Sequence, residues 1–309
     1  MKILITGVHG FVGSNLVEAL SKDHTIYGLD IVSPLKDGVR FTFSWDFLDK
    51  PNEIPEVDAI IHLAGKAHDT KNQTVSDVYF KVNTGLTQKI YDYFLKSKAK
   101  KFIFFSTAKA AADKVDGILT EDVIPTPVGP YGESKIAAEK YIQEHLTDEK
   151  QVYILRPCMI HGPGNKGNLN LLYNVVKKGI PWPLGAFENR RTFTSIDNLC
   201  FVINGLLTKD VPTGIYNMGD DEALSTNELI EEICKSLGKK AHIWKLPKGL
   251  MNGVASIGGA LHLPLDSERL RKLTENYISS NDKIKKALGV EKMPVDAREG
   301  LRVTLESFK

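Results

Sequence analysis

Tyr131 and Lys135 lie four residues apart in the run Tyr131-Gly132-Glu133-Ser134-Lys135, a spacing that puts a phenol and an ammonium on one face of a helix. A phenol beside a cation can carry a proton to and from a substrate hydroxyl. A tyrosine pKa near ~10 is about three units too high for a base at neutral pH, so the surroundings must favour the phenolate by roughly 4 kcal/mol. Lys135 is one source. Thr107, at the end of the apolar run Lys101 to Ser106, is placed to share a hydrogen bond with the same hydroxyl.

A second constellation opens the chain. Ile3-Leu4-Ile5 runs into Thr6-Gly7-Val8-His9-Gly10-Phe11-Val12-Gly13, and Leu16, Val17, Ala19 and Leu20 follow at helical spacing. Strand, glycine turn and helix in this order leave backbone N–H groups and the positive end of a helix dipole facing a pyrophosphate. The glycines at 7, 10 and 13 depart from the usual G-x-G-x-x-G spacing, and a plain strand-to-helix turn is the competing reading. Asp30 ends the next strand-like run. A carboxylate there accepts hydrogen bonds from ribose hydroxyls and repels a 2′-phosphate, so NAD rather than NADP is the expected dinucleotide. Lys36 and Arg40 soften that preference if their loop folds back. The charged ring of an oxidised nicotinamide is then a second source of help for Tyr131.

The elements that must position these groups are legible as an alternation. Thr25 to Asp30, Ala59 to Leu63, Lys101 to Ser106 and Gln151 to Arg156 read as strands, and Asp77 to Ser97 and Ser134 to His145 as helices. This pattern predicts an α/β fold, a Rossmann-type doubly wound parallel sheet with a smaller C-terminal α/β lobe that binds substrate. Residues 1–156 form the core of the dinucleotide-binding domain. Residues 157–309 form mainly the second lobe, with some segments returning to the sheet. Glycine- and proline-rich loops such as His161-Gly162-Pro163-Gly164 and Ile180-Pro181-Trp182-Pro183 shape a cleft. Ser225-Thr226-Asn227-Glu228 is a capping box for a helix through Leu237 that Gly238 stops. The apolar stretch Leu250 to Leu265 is too short to cross a bilayer, and its Leu250, Val254, Gly258 and Leu261 predict a buried or partner-facing helix side rather than a membrane-associated one.

A chain of 309 residues with 42% hydrophobic and 25% charged residues folds rather than staying disordered, and its net charge of +2 gives no reason to expect nucleic acid or a membrane as partner. Cys158, Cys200 and Cys234 are few and far apart, which fits a reducing, cytoplasmic location and no structural zinc. No metal site is expected. Met1 to Gly7 reaches a turn glycine after three apolar residues, so no signal peptide is expected.

Together these motifs resemble the extended short-chain dehydrogenase/reductase family, the NAD-dependent nucleotide-sugar epimerases, dehydratases and reductases. The resemblance rests on the TGVHGFVG loop, Asp30, Asp46 in WDFLD, His62-Leu63-Ala64-Gly65, Asn83, Ser106-Thr107, Tyr131/Lys135, Leu155-Arg156-Pro157 with Gly162-Pro163, and Arg191-Thr192-Phe193. It implies a cofactor site of Gly7, Gly10, Phe11, Val12, Gly13, Asp30, Ile31, Asp46, Phe47, Leu63, Ala64, Gly65, Asn83, Ser106, Tyr131, Lys135 and Pro157. Asp46 and Phe47 would flank the adenine, and Lys135 would also bind the nicotinamide ribose. Lys66, Thr107, Met159 and Arg191 would meet the substrate, with the Arg191 guanidinium matched to paired phosphate oxygens. His68 is a candidate sugar contact, against the plainer reading of a loop histidine without a role.

Dehydratases of the family carry an Asp-Glu pair directly after the catalytic threonine, where this chain has Ala108-Lys109. Met159 and His161 stand where relatives often have asparagine and tyrosine. The expected function is an NAD-dependent 4-epimerase of a UDP-hexose or UDP-N-acetylhexosamine, and the resemblance allows a homodimer, since relatives often dimerise. The alternatives are an NAD(P)H-dependent 4-keto-6-deoxy-sugar reductase of surface polysaccharide synthesis and, more remotely, a non-catalytic dinucleotide sensor.

Overall fold

The computed structural model describes residues 1–50, 53–67, 75–260 and 266–309. Its strands are β1 (Lys2–Thr6), β2 (Thr25–Leu29), β3 (Val39–Phe43), β4 (Ala59–His62), β5 (Lys101–Phe105), β6 (Ile118–Leu119), β7 (Gln151–Pro157), β8 (Met159–His161), β9 (Phe193–Ser195), β10 (Gly214–Met218) and β11 (Ile278–Ser279). Seven of them form one sheet in the order β10-β7-β5-β4-β1-β2-β3, and every pairing in it is parallel. The short pairs β6–β11 and β8–β9 lie outside it.

Its principal helices are α1 (Phe11–Leu20), α2 (Ser76–Tyr79), α3 (Leu86–Lys96), α4 (Ala108–Ala111), α5 (Pro130–Glu144), α6 (Asn168–Lys177), α7 (Ile196–Thr208), α8 (Thr226–Ser236), α9 (Lys248–Ala260) and α10 (Ser267–Thr274). Because strand side chains alternate, the sheet has two apolar faces. Ile3, Ile5, Ile61 and Ile103 pack with Leu16 and Leu20 of α1 and Leu199 and Ile203 of α7. Leu4, Ile60, Phe102 and Phe104 pack with Ile90 and Phe94 of α3 and Ala138 and Ile142 of α5. A third cluster, including Tyr173, Trp182, Ile233, Met251 and Leu301, forms the C-terminal lobe. The fold is the doubly wound, Rossmann-type sheet that the alternation predicts, and β10 and α7 come to it from beyond residue 157.

Differences from the sequence reading have local causes. β3 escapes it because this edge strand leaves both Arg40 and Phe41 exposed and has no continuous apolar run. β10 begins with glycine and buries Asn217, whose N–H donates to Glu121 and whose side-chain amide donates to the Leu119 carbonyl. α5 starts at Pro130, a residue suited to the first helical position, so Tyr131 lies inside the first turn. The stretch Asp77 to Ser97 is one helical rod interrupted by a π-helical turn, Phe80–Gly85. The Ser225–Glu228 capping box is present in full, and Gly238 closes its helix at φ +65°.

The helix expected within Leu250 to Leu265 exists as α9 (Lys248–Ala260), and Leu261 of its expected apolar side lies outside the described residues. Met251 and Ala255 face the core, while Leu250 and Val254 are exposed, because the lobe's apolar cluster lies a quarter turn away from them. No described helix is long and apolar enough to cross a membrane.

Glycine serves two different purposes in this fold. A Cβ on Gly13 would stand 2.3 Å from the Gly7 carbonyl oxygen and 2.9 Å from Val8, whereas one on Gly253 would meet nothing within 4 Å. Gly13→Ala should therefore lower stability by about 1–3 kcal/mol through overpacking. Gly253→Ala should raise it by up to about 1 kcal/mol by removing helix-interior entropy. Urea denaturation of both variants checks the opposite signs.

Candidate active site

The strand order reverses between β1 and β4, which opens a crevice at their carboxyl ends. Gly7 leaves β1 there with φ +71°, and a Cβ on it would press within 3.1 Å of the Ala64 backbone. Leu63, Ala64 and Gly65 thus run directly against the glycine turn. Gly10 caps α1 without a side-chain hydrogen bond, and no acidic residue lies in the first turn. First-turn N–H groups with no side-chain cap, over a floor too tight for any Cβ, fit the diphosphate of a dinucleotide.

Asp30 is less open than its sequence position implies. One carboxylate oxygen accepts the Ile31 N–H at 2.7 Å; the other accepts the His9 N–H at 3.0 Å and lies 3.3 Å from His9 Nδ1. His9 Nε2 is 3.2 Å from the Pro34 carbonyl, so the ring sits between two acceptors. Lys36 does fold back, and its Nζ donates to Ser14 Oγ on α1 at 2.9 Å. Arg40 stays exposed on β3. Ile31 is exposed beside the same rim. Asp46 and Phe47 occupy a 3-10 turn, Trp45–Asp49, where Phe47 packs edge-on against Phe43.

A directional chain of hydrogen bonds ties the crevice together. Thr6 Oγ1 accepts the Ala64 N–H at 3.0 Å and bonds His62 Nδ1 at 2.7 Å. His62 Nε2 bonds Thr87 Oγ1 at 2.9 Å, and Thr87 donates to the Asn83 carbonyl at 2.6 Å. Each hydroxyl has one proton to give, so the chain closes only with a neutral His62 protonated at Nε2. Burial, with Lys135 nearby, holds its pKa well below the usual histidine value. Asn83, counted from the resemblance as a cofactor ligand, lies at the crevice, its Oδ1 3.0 Å from where a Cβ on Gly65 would stand, and is also bonded within the protein. Its amide accepts the Lys66 N–H at 2.7 Å and donates to the Lys66 carbonyl at 3.1 Å and to Ser134 Oγ at 3.0 Å, so it fixes the Lys66 loop to α5.

Thr107, Tyr131 and Lys135 do come together. Thr107 is the N-cap of the short α4, and its hydroxyl lies near the Tyr131 phenol, a proximity that favours the phenolate. Burial nevertheless dominates and raises the Tyr131 pKa, with Tyr79 adding to the rise. Lys135, four residues along α5, is bonded elsewhere. Its Nζ donates instead to the Phe105 carbonyl at 2.8 Å, and burial pushes its pKa down to about 8. A Cβ on Gly65 would lie 3.2 Å from that ammonium, so Lys135 points to the glycine crevice.

Ser106 does not face the crevice. Its hydroxyl donates to buried Glu139, which also takes a 2.6 Å ion pair from fully buried Arg156. Sequence reading missed both this pair and Tyr79, whose ring meets that of Tyr131 edge-on at 6.3 Å. Glu139 stands one turn beyond Lys135 on the same helix face, and that repeat is the signal that could have found it.

On the substrate side, Met159 is half-buried on β8 and packs with the C-terminal cluster. Pro157 is buried where β7 pairs with β10. His161 is internal too, bonded to Thr304 at 2.8 Å and 3.6 Å from Asp220, so it supports the lobe. Burial lowers the Arg191 pKa, with Glu275 and Cys158 opposing the shift, and its guanidinium donates to the Lys272 carbonyl. The Gly162-Pro163 loop reaches across to α1, where Asn15 Nδ2 donates to the Pro163 carbonyl at 3.1 Å. Lys66 is half-buried at the crevice mouth. His68 lies outside the described residues.

A doubly wound sheet, a glycine turn under an uncapped helix and a threonine–tyrosine–lysine set at the next strand ends define a nucleotide-binding α/β protein with proton-transfer machinery. The model of the NAD dependent epimerase/dehydratase family matches residues 3–219, and the chain belongs to that family. It is 32% identical over 261 residues to UDP-glucose 4-epimerase of Vibrio cholerae, covering 79% of this chain and 78% of that one. It is 29% identical over 266 residues to N-acetyl-alpha-D-glucosaminyl-diphospho-ditrans,octacis-undecaprenol 4-epimerase of Escherichia coli O157:H7, covering 81% and 77%. Among solved structures the fold is similar to that of Bordetella bronchiseptica WbmG in complex with NAD, at TM-score 0.77 and 21% identity over 100% of this chain and 94% of that one. It is also similar to UDP-glucuronic acid 4-epimerase from Bacillus cereus in complex with NAD, at TM-score 0.75 and 22% identity over 100% and 98%.

The neutral His62 makes a pH prediction. Unfolded chain binds a proton at this residue near pH ~6.5, while the folded protein binds it only at lower pH, so stability falls as pH drops below that value. His62→Gln should cost about 1–3 kcal/mol at pH 7 by unpairing buried hydroxyls. The gap between wild type and variant in urea melts should narrow toward pH 5. A gap that stays constant removes the linkage.

Proposed function

We propose that this protein is an NAD-dependent 4-epimerase of a diphosphate-linked hexose, with a UDP-sugar as the first substrate to test. The observation that carries the reading is the Thr107–Tyr131 contact at the end of β5, facing a glycine crevice into which Lys135 projects. The two curated relatives support it, since both are named as 4-epimerases and both names include a diphosphate-linked sugar. Ala108 and Lys109 after Thr107 leave that position without the acid pair that expels a hydroxyl, which favours epimerisation over dehydration.

The glycine turn and the N-terminus of α1 would hold the diphosphate of NAD, Asp30 the adenosine ribose after the His9 ring yields, and Lys135 the nicotinamide ribose. NAD, when bound there, would supply reversible hydride acceptance for the sugar's C4. Tyr131 removes the C4 hydroxyl proton and later gives it back, with Thr107 holding the hydroxyl in line. Burial alone works against that step by raising the Tyr131 pKa, so the phenolate needs the positive charge that arrives with oxidised cofactor. Arg191 would turn from the Lys272 carbonyl to the sugar-bearing diphosphate. A second reading, a 4-keto-sugar reductase drawing on NADPH, is favoured by Lys36 lying against Ser14, close to where a 2′-phosphate would sit.

Purified protein should interconvert UDP-glucose with UDP-galactose, or their N-acetyl forms, without net change in reduced-nicotinamide absorbance. Silence on all four, with NAD(P)H oxidation on a 4-keto-6-deoxy sugar, establishes the reductase instead. Tyr131→Phe should bind NAD as wild type does and lower kcat by at least ~10²-fold. For the cofactor, calorimetry should give tighter binding of NAD(H) than of NADP(H), and Asp30→Ala should narrow the difference. Equal binding by wild type overturns the role of Asp30.

A further inference from the structure

Leu250, Val254 and Ile257 fall on one side of α9 and are 55%, 44% and 60% exposed, while Met251 and Ala255 on another side are buried. The helix is therefore apolar on two sides and the core covers one of them. Trp244, just before the helix, is 54% exposed as well. Its N–H donates to the Trp182 carbonyl at 2.8 Å, and Lys239 Nζ donates to the Lys177 carbonyl at 2.7 Å. These bonds lay the run before α9 alongside the end of α6, where Lys177, Lys178 and Ile180 are exposed.

The run through α9 carries charge of one sign in the sequence. From Gly238 to Leu265 the sequence contains Lys239, Lys240, Lys245 and Lys248 and no aspartate or glutamate, in a chain that otherwise balances 40 basic against 38 acidic residues. Exposed aliphatic residues, a tryptophan and uncompensated lysines are the combination that settles at the boundary between headgroups and acyl chains.

We propose that α9 and the Lys239–Lys245 run form a docking face for an anionic lipid surface. Leu250, Val254 and Ile257 enter the interface, Trp244 sits at headgroup depth, and the lysines meet lipid phosphates. A second copy of the chain fits this face less well, because a two-fold contact would bring each lysine cluster against its own image. The short length of α9 limits the protein to lying on the surface. α9 packs on α10, whose Lys272 carbonyl holds Arg191, so docking places the substrate lobe next to the lipid. The inference does not depend on the reaction proposed above.

Flotation with vesicles tests it on the full chain. Wild type should float with phosphatidylcholine–phosphatidylglycerol vesicles, less at high salt, and stay down with phosphatidylcholine alone. Leu250→Glu with Val254→Glu should weaken flotation by roughly tenfold or more, while Lys245→Gln with Lys248→Gln should weaken it less and remove most of the salt dependence. Tryptophan emission of the unmodified protein should shift blue on adding the anionic vesicles, and Trp244→Phe should abolish the shift while Trp45 and Trp182 remain. The shift needs no destabilising variant, so it keeps the test decisive even if a glutamate substitution unfolds the lobe. No flotation, flotation indifferent to these substitutions, or a dimer in solution that the glutamate variant dissociates overturns the proposal.

Discussion

The hydrogen bond between Thr6 and His62 joins the last residues of β1 and β4 at the point where the strand order turns back on itself. Much of the crevice depends on that bond. Through Ala64 it sets the loop that lies against the glycine turn, and through Thr87 and Asn83 it sets Lys66 and the start of α5. A charged imidazole would have to donate at both nitrogens and would leave the Thr6 hydroxyl without its acceptor. The crevice therefore exists in this form only while one buried ring is neutral, and the nearby Lys135 ammonium helps to keep it so.

A second buried cluster works by the opposite rule. Glu139 and Arg156 are both charged, both almost fully inside, and held by three nitrogen–oxygen contacts between them. Such a pair contributes little net stability over an apolar replacement, yet removing one partner leaves a costly lone charge. What it does here is positional. Ser106 is turned toward the pair, away from the crevice, and the next residue, Thr107, is left facing the Tyr131 phenol. Lys135 lies between the two clusters on α5, with Glu139 opposing the loss of its proton that burial promotes.

How much of this was legible in the sequence depended on whether the signal was local. Strand-to-helix alternation, the glycine turn, the capping box at Ser225 and the Tyr131/Lys135 spacing are patterns within a few residues, and they were readable. The protein partners of Ser106 and Asn83 were not readable for a shared reason. A polar side chain at a strand or helix end faces either the cleft or the protein, and which it does depends on partners far along the chain, Glu139 for one and Lys66 and Ser134 for the other. The burial of the Tyr131 phenol was not readable from its spacing to Lys135, because it depends on everything packed around the ring, including Tyr79. The outward turn of α9 likewise depended on where a neighbouring cluster lies, since the helix offers apolar residues on more than one side.

The last strand of the main sheet, β10, is encoded well beyond the loops that build the second lobe, and α7 covers the sheet from the same distant stretch. A nascent chain that has emerged only as far as Pro157 holds six of the seven sheet strands, with the backbone edge of β7 unpaired and half of one apolar face bare. Such an edge is a template for pairing with other chains. Vectorial synthesis thus leaves this protein exposed to mispairing until Met218 is available. Cutting the gene at the apparent lobe boundary would make that transient state permanent, so the two lobes form one folding unit despite their separate cores.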